Sequence, residues 1–152
     1  MGQAVRAIYA RSTSIGGRVI RVHDTSVPHR WSHCGVLLGD WVVEARAFHG
    51  VVLTPWNEFI ERYAETRIVE YLALDPVGGE RWLRGQIGKP YDYEAILGAW
   101  TRTNWQDDAA FQCAELLEMY LLMAGGLPRF RASPHVITPN LSFANLAGVA
   151  SD

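Results

Sequence analysis

The chain has 152 residues, of which 49% are hydrophobic, so it is long enough to form one globular domain with a buried core. Its net charge of -2, with no block of like charges, argues against nucleic acid as the main partner. No apolar run is long enough to span a membrane, and the first residues lack the apolar segment of a signal peptide. We therefore expect a single domain over residues 1–152 that is cytoplasmic as synthesised. In a reducing compartment, Cys34 and Cys113 are expected to be free thiols.

Strand patterns dominate the first half of the chain. Val5 to Ala10 fits a first strand, and a short helix is expected over residues 15–22, followed by a loop at 24–30. Two β-rich runs between Ser32 and Arg46 flank the pair Gly39-Asp40, which is typical of a tight hairpin turn. Another short strand is predicted over Val51 to Leu53.

The predicted hairpin brings a histidine and a carboxylate to one side of the sheet. With Gly39 and Asp40 as the loop, Leu38 opposes Trp41, and alternate residues along each strand share a face. That face carries His33, Gly35, Leu37, Val42, Glu44 and Arg46. His33 and Glu44 are then diagonal neighbours about 7–8 Å apart, within reach of a side-chain contact. Cys34 is predicted to point to the opposite face.

The second half of the chain favours helices. Thr54-Pro55 is expected to start a helix, and its predicted buried face consists of Trp56, Phe59, Ile60 and Tyr63. A strand follows over Arg67 to Leu74, and Asp75-Pro76 leads into a further helix. A short helix is predicted at residues 95–100, and a last helical turn at 140–146.

The principal helix is predicted to begin near Phe111 and to end at Gly125-Gly126. One apolar face is formed by Cys113, Leu116, Leu117, Tyr120, Leu121 and Ala124, and Glu115 and Glu118 are predicted to lie off it. Cys113 falls in the first turn, where unpaired N–H groups and the helix dipole favour a thiolate nucleophile. A free cysteine is also commonly a buried core residue, so both interpretations stay open at this point.

These elements predict an α+β domain with helices against one face of an antiparallel sheet. The principal helix needs an apolar surface, and the face that carries Leu37 and Val42 offers one. If the two pack together, Cys113, His33 and Glu44 converge as nucleophile, base and orienting acid. Alternatively, His33 is satisfied by a backbone carbonyl and Glu44 pairs with Arg46. No histidine pair lies four residues apart on a helix, so neither a metal site nor a cofactor is predicted.

Four blocks of sequence, in a particular order, resemble a known family. They are Ser32-His-Cys-Gly-Val36, Val42-Val-Glu-Ala-Arg-Ala-Phe-His-Gly-Val51, Gly88-Lys-Pro-Tyr-Asp92 and Phe111-Gln-Cys-Ala-Glu-Leu116. Together they resemble the circularly permuted papain-like cysteine hydrolases of the NlpC type, to which lecithin:retinol acyltransferase-like proteins are related. In papain-like enzymes the nucleophile helix comes first. Here the histidine strand comes first and the cysteine helix last, which is the permuted order.

The resemblance implies a permuted papain-like fold, in which an antiparallel sheet packs on the nucleophile-bearing helix. It also implies that Cys113 is the nucleophile, His33 the general base and Glu44 the residue that orients His33. Tyr91 and Asp92 match a block that lines the cleft or supports it. Gln112 is a candidate oxyanion donor, and Trp105 is a candidate for binding substrate.

The resemblance further implies hydrolysis of an amide bond through a thioester, with the peptidoglycan stem peptide as the leading substrate. Access to the cell wall would then require a phage particle, lysis or a non-classical export route. A second hypothesis is a lipid or N-acyl amide hydrolase or acyltransferase with the same triad, in which Trp100, Trp105 and Phe111 form an apolar groove. A third is a non-catalytic papain-like module for binding or assembly.

Overall fold

The computed structural model describes residues 3–12, 31–91, 112–125, 137 and 139–149. The helix predicted at 15–22, the loop at 24–30 and the short helix at 95–100 lie outside these residues. Within them, the chain forms one mixed α+β arrangement built on a five-stranded antiparallel sheet. The predicted fold class, α+β, is therefore confirmed.

The sheet has the strand order β4-β3-β2-β1-β5, and every neighbouring pair is antiparallel. The strands are β1 (Gln3–Arg11), β2 (His33–Leu38), β3 (Trp41–Arg46), β4 (Gly50–Pro55) and β5 (Glu65–Ala73). β2, β3 and β4 are consecutive hairpins, whereas β5 returns to the far side of β1. β2 is thus an interior strand, with a partner on each edge.

The hairpin between β2 and β3 has the predicted turn and register. Leu38 pairs with Trp41 around Gly39, whose φ of 59° is in the left-handed region that glycine adopts without strain. Gly35 leaves no room for a side chain, because a Cβ atom there would lie 2.8 Å from the carbonyl oxygen of Val43 and 3.4 Å from the Cβ of Glu44. A larger residue at position 35 would therefore disturb the strand that carries Glu44.

Four helices are described: α1 (Trp56–Glu61), α2 (Pro76–Arg84), α3 (Cys113–Met123) and α4 (Pro139–Val149). Asp75 caps α2 as predicted, since its side chain accepts a 2.9 Å hydrogen bond from the Gly78 N–H. α1 begins later than predicted, because Thr54 and Pro55 belong to β4 and Pro55 only flanks the helix. Only Phe59 of its predicted face is fully buried. α4 is longer than the single turn predicted at 140–146.

The helices cover both faces of the sheet, and the prediction that they cover one face is wrong. α3 lies on the face of β2 and β3 formed by Cys34, Val36, Val43 and Ala45, and it also packs on α2. α1 covers the opposite face, where Phe59 joins Ile8, Ala10, Leu37 and Val42. The expectation that α3 packs on Leu37 and Val42 is therefore wrong as well. Both faces of β2 are apolar, so either face could have received the helix.

The face of α3 predicted to be apolar is buried, and Glu115 and Glu118, which are predicted to lie off it, are buried as well. Glu115 reaches back to the Gln112 N–H, at 3.5 Å, and so caps the start of the helix. The Oε1 of Glu118 accepts a 2.5 Å hydrogen bond from the Ser142 hydroxyl. That hydroxyl also lies 2.8 Å from the Tyr9 hydroxyl, so the carboxylate ties α3 to α4 and β1.

None of the helices in the described ranges is long and apolar enough to cross a membrane.

Candidate active site

Cys113 is the first residue of α3, where the helix N–H groups have no intrahelical partner. The preceding residue, Gln112, is extended and serves as the N-cap. The side chains that follow on α3, including Leu116 and Leu117, are fully buried against the sheet. This core fixes the start of the helix, and it leaves Cys113 5% exposed.

His33 is the first residue of β2, and its imidazole contacts the Glu44 carboxylate on β3. The Nε2 of His33 lies 2.6 Å from the Oε2 of Glu44, and both residues are buried. This is the contact that the hairpin register predicted. Because Nε2 faces the carboxylate, Nδ1 is the ring nitrogen left for another partner, and the Cys113 side chain lies close enough to His33 to raise the pKa of the imidazole.

The other oxygen of Glu44 is held by two residues that sequence reasoning did not assign to the site. Oε1 accepts a 2.7 Å hydrogen bond from the Thr54 hydroxyl and another from an Nη2–H of Arg62. Burial raises the pKa of Glu44, but the hydrogen bond and charge of His33, together with Thr54 and Arg62, lower it to about 2. Glu44 is therefore ionised over the whole physiological range although it is fully buried.

Two aromatic rings pack against the imidazole. Tyr63 stacks on His33 with ring centroids 5.5 Å apart and planes 13° apart, and Phe59 lies 6.1 Å away. Burial lowers the pKa of His33, but its contacts with Tyr63, Cys113 and Glu44 outweigh burial and raise the pKa well above its usual value. Burial also raises the pKa of Tyr63 above its ordinary value.

The Cys113 thiol is next to a second cysteine. A hydrogen bond from the Cys34 side chain is the largest influence on the pKa of Cys113 and lowers it. Burial raises this pKa, whereas the hydrogen bond and charge of His33 lower it further, so that the net pKa of Cys113 is well below its ordinary value. Cys34 does point away from Glu44, as predicted, but this orientation brings it to the nucleophile. Cys34 and Cys113 are both thiols and form no disulfide bond with each other.

The structure thus brings Cys113, His33 and Glu44 together, although by a different route from the one predicted. The thiol comes from the face under α3 and the imidazole from the face under α1. They meet where β2 and α3 both begin. Thr54 can be assigned to the site once the pairing of β3 with β4 is known, because Val52 pairs with Glu44 and Thr54 is the diagonal neighbour of Glu44 on the same side. Arg62 and Tyr63 had no signal in the sequence, since their positions depend on how α1 packs.

The remaining predicted site residues are only partly described. Gln112 lies directly before Cys113, and Tyr91 is half-buried against the core that contains Cys113. Asp92 and Trp105, the other two candidates for contact with substrate, lie outside the described residues, as do Trp100 and Phe111. The proposed apolar groove is therefore not part of the described structure.

A metal ion does not fit the side chains that form this site. In the described part of the chain, no group of three or more His, Cys, Asp or Glu side chains is arranged to hold one. The His33 Nε2 and the Glu44 Oε2 face each other at 2.6 Å, and the Glu44 Oε1 accepts from Thr54 and Arg62, so these donor atoms already have partners.

The sequence matches no protein-family model and no curated protein. Among solved structures, the chain is similar to the metalloprotein yiiX from Escherichia coli O157:H7, DUF1105, with a TM-score of 0.61. The two are 21% identical, and the match covers 89% of this chain and 78% of that one. At this level of identity, the similarity supports a shared overall fold.

Proposed function

We propose that this protein is a cysteine hydrolase that cleaves an amide bond through a thioester intermediate. One observation carries the proposal: the Nε2 of His33 is held at 2.6 Å by the buried Glu44 carboxylate, and the Cys113 thiol lies close enough to the same imidazole for each to shift the pKa of the other. The order of contacts, from nucleophile to base to orienting acid, is the order found in a catalytic triad. The triad also follows the permuted papain-like order, with the histidine strand before the cysteine helix, and we assign the chain that fold.

The reaction follows from the protonation states of the three groups. The proton of the Cys113 thiol resides on His33, which gives a thiolate beside an imidazolium. The thiolate attacks the carbonyl carbon, and the imidazolium gives its proton to the leaving amine as the C–N bond breaks. His33 then takes a proton from water, whose oxygen attacks the thioester carbon. The C–S bond breaks, the acid is released and the thiolate–imidazolium pair is restored.

The oxyanion of each tetrahedral intermediate needs donors near the sulfur atom. The Cys113 N–H is suited to this, because it is at the first position of α3 and has no partner within the helix. We propose the Gln112 side chain as the second donor. Loss of one such donor typically costs about 2.7–4 kcal/mol of transition-state stabilisation.

For the substrate, we propose the stem peptide of peptidoglycan, on the strength of the resemblance to NlpC-type enzymes. A bacterial or phage protein with this triad would hydrolyse amide bonds in the peptides of the cell wall. The rival substrate, a lipid ester or N-acyl amide, depends on the apolar groove predicted from Trp100, Trp105 and Phe111. The two substrate classes are separated by comparing the hydrolysis of muropeptides with that of acyl esters by one preparation.

The test of the hydrolase proposal is the pH dependence of alkylation of Cys113 by iodoacetamide, followed on the Cys113 peptide by mass spectrometry. We expect an inflection well below the reference thiol pKa of about 8.5. We also expect Cys113→Ala to remove all hydrolysis of whichever substrate is cleaved. An ordinary thiol pKa, or a Cys113→Ala protein with full activity, would exclude the hydrolase and favour a non-catalytic binding module.

A further inference from the structure

Arg62 is joined to the triad on the side remote from the nucleophile. It directly follows α1, its Nη2 donates to the Glu44 Oε1, and its side chain is 29% exposed. The guanidinium also lies over the rings of Phe59 and Tyr63, at 5.4 Å and 5.3 Å from their centroids. Its Nε–H donates to the Glu58 carbonyl oxygen at 3.3 Å. Four separate contacts therefore fix the direction of this one cation.

The charges of the site balance when Arg62 is counted. In the reactive state the thiolate and the Glu44 carboxylate are negative, whereas the His33 imidazolium and Arg62 are positive. Without Arg62, the buried group would carry a net negative charge, and burying an uncompensated charge is costly. Protonation would neutralise this charge at the lowest cost in free energy, and it would convert the thiolate to the thiol or the Glu44 carboxylate to the acid.

We propose that Arg62 is a positioning residue for the hydrolase: it compensates the buried Glu44 carboxylate and so keeps the reactive thiolate–imidazolium pair populated. This inference rests on the proposed function, because it assigns a role in the same reaction. Arg62 does not touch the reacting atoms. It acts through Glu44, and Glu44 acts through His33.

The titratable groups that face this network come from every described element that packs around it. Cys34 and His33 belong to β2, Glu44 to β3, Cys113 to α3, and Tyr63 follows α1. Loss of the positive charge makes each acidic group hold its proton more tightly. The thiolate then forms at higher pH, and the imidazolium persists to higher pH. Both limbs of the activity profile are therefore expected to move in the alkaline direction.

The experiment compares Arg62→Gln with Arg62→Lys. Glutamine keeps a donor for the Glu44 Oε1 but removes the charge, whereas lysine keeps the charge. We expect Arg62→Gln to raise the inflection of Cys113 alkylation by less than the roughly 1–3 pH units that loss of an adjacent opposite charge causes, because Arg62 contacts Glu44 and not the thiol. Arg62→Lys is expected to return the inflection most of the way to the native value.

Arg84→Gln is the matched control, because Arg84 forms an exposed pair with Glu80 at 2.7 Å on α2, outside the site. Its alkylation profile is expected to equal that of the native protein. Circular dichroism establishes that each variant is folded, and Arg62→Lys is a second test if glutamine loosens the site.

The outcomes separate the two proposals. A low native inflection that is unchanged in Arg62→Gln overturns the role of Arg62 and leaves the hydrolase standing. An Arg62→Lys protein that shifts as far as Arg62→Gln also overturns that role, since the charge would then not set the inflection. An ordinary inflection in the native protein overturns both.

Discussion

The two faces of the sheet use opposite chemistry to build one site. The face under α3 is almost wholly apolar, and it combines side chains of β1, β2 and β3 with those of α2 and α3. The face under α1 has a small apolar cluster around Phe59, and beside it lies the charged chain from His33 through Glu44 to Arg62. The sulfur atom is presented from the first face and the proton-transfer groups from the second.

This division separates the position of the nucleophile from its protonation. The large core sets where α3 starts, and therefore where the Cys113 sulfur lies, through contacts that do not titrate. The charged chain, together with Cys34 on the apolar face, sets the protonation state of the thiol. With the exception of Cys34, variants on the apolar face should therefore change stability with little effect on the thiol pKa, whereas variants on the charged face should change the thiol pKa or the activity.

The largest effect is expected from the charged face. Glu44→Gln removes the anion that orients His33 and stabilises its imidazolium, and a comparable change in a serine protease triad lowers kcat by about 10⁴-fold. We expect a loss in kcat/KM of that order on any substrate that the native protein cleaves. Glu80→Gln, in the exposed pair with Arg84, is the control and should retain native activity. Retention of more than a tenth of the activity by Glu44→Gln would remove Glu44 from the triad.

Two adjacent leucines on α3 test whether a variant on the apolar face changes stability without changing the thiol pKa. Leu121 is 2% exposed in the core, whereas Leu122 is 37% exposed on the same helix. Leu121→Ala is expected to lower the free energy of unfolding by about 3 kcal/mol, because deletion of a buried leucine leaves a cavity. Leu122→Ala is expected to cost less than about 1 kcal/mol. Urea unfolding measures both, and the alkylation inflection of Cys113 should stay in place in each.

The contribution of the charged face to the free energy of unfolding should depend on pH in the acid range. The folded-state pKa of Glu44 is about 2, below its ordinary value of 4.5. A lowered pKa contributes stability that is present above pH 4.5 and is lost as the pH falls toward 2. The linked free energy is roughly 3 kcal/mol, from a shift of about 2.5 units at 1.36 kcal/mol per unit. The difference in unfolding free energy between the native protein and Glu44→Gln should therefore shrink between about pH 5 and pH 2. A difference that is independent of pH would mean that the carboxylate is not ionised in the fold.

Local patterns in the sequence were sufficient for the hairpin and for α3. The pair Gly39-Asp40 set the register of β2 and β3, and the register brought His33 to Glu44. The repeat of apolar residues at intervals of three and four located the buried face of α3. These features depend on residues close together in the chain, which is why they could be predicted from it.

The face on which α3 packs could not be predicted in the same way. β2 is buried on both sides, with Cys34 and Val36 on one face and Leu37 on the other. Because polar and apolar residues do not alternate along it, the sequence does not indicate which face receives the helix. Charge is rarely buried without a partner, and Glu118 is buried because its carboxylate accepts from the Ser142 hydroxyl, 24 residues away along the chain. Arg62 reaches Glu44 only after α1 has packed on the sheet.

The last prediction concerns Cys34, the residue of the apolar face that influences the pKa of the nucleophile directly. Its side chain donates to Cys113 and is the largest influence that lowers the pKa of that thiol. Cys34→Ala removes the donor, and we expect the Cys113 inflection to rise by up to about one unit, since a hydrogen bond to the charged form favours that form. Cys34→Ser retains a hydroxyl donor at almost the same place, so its inflection should lie closer to the native one. If alanine and serine give the same inflection as the native protein, Cys34 acts only as packing, and the protonation of the nucleophile is controlled entirely from the His33 side.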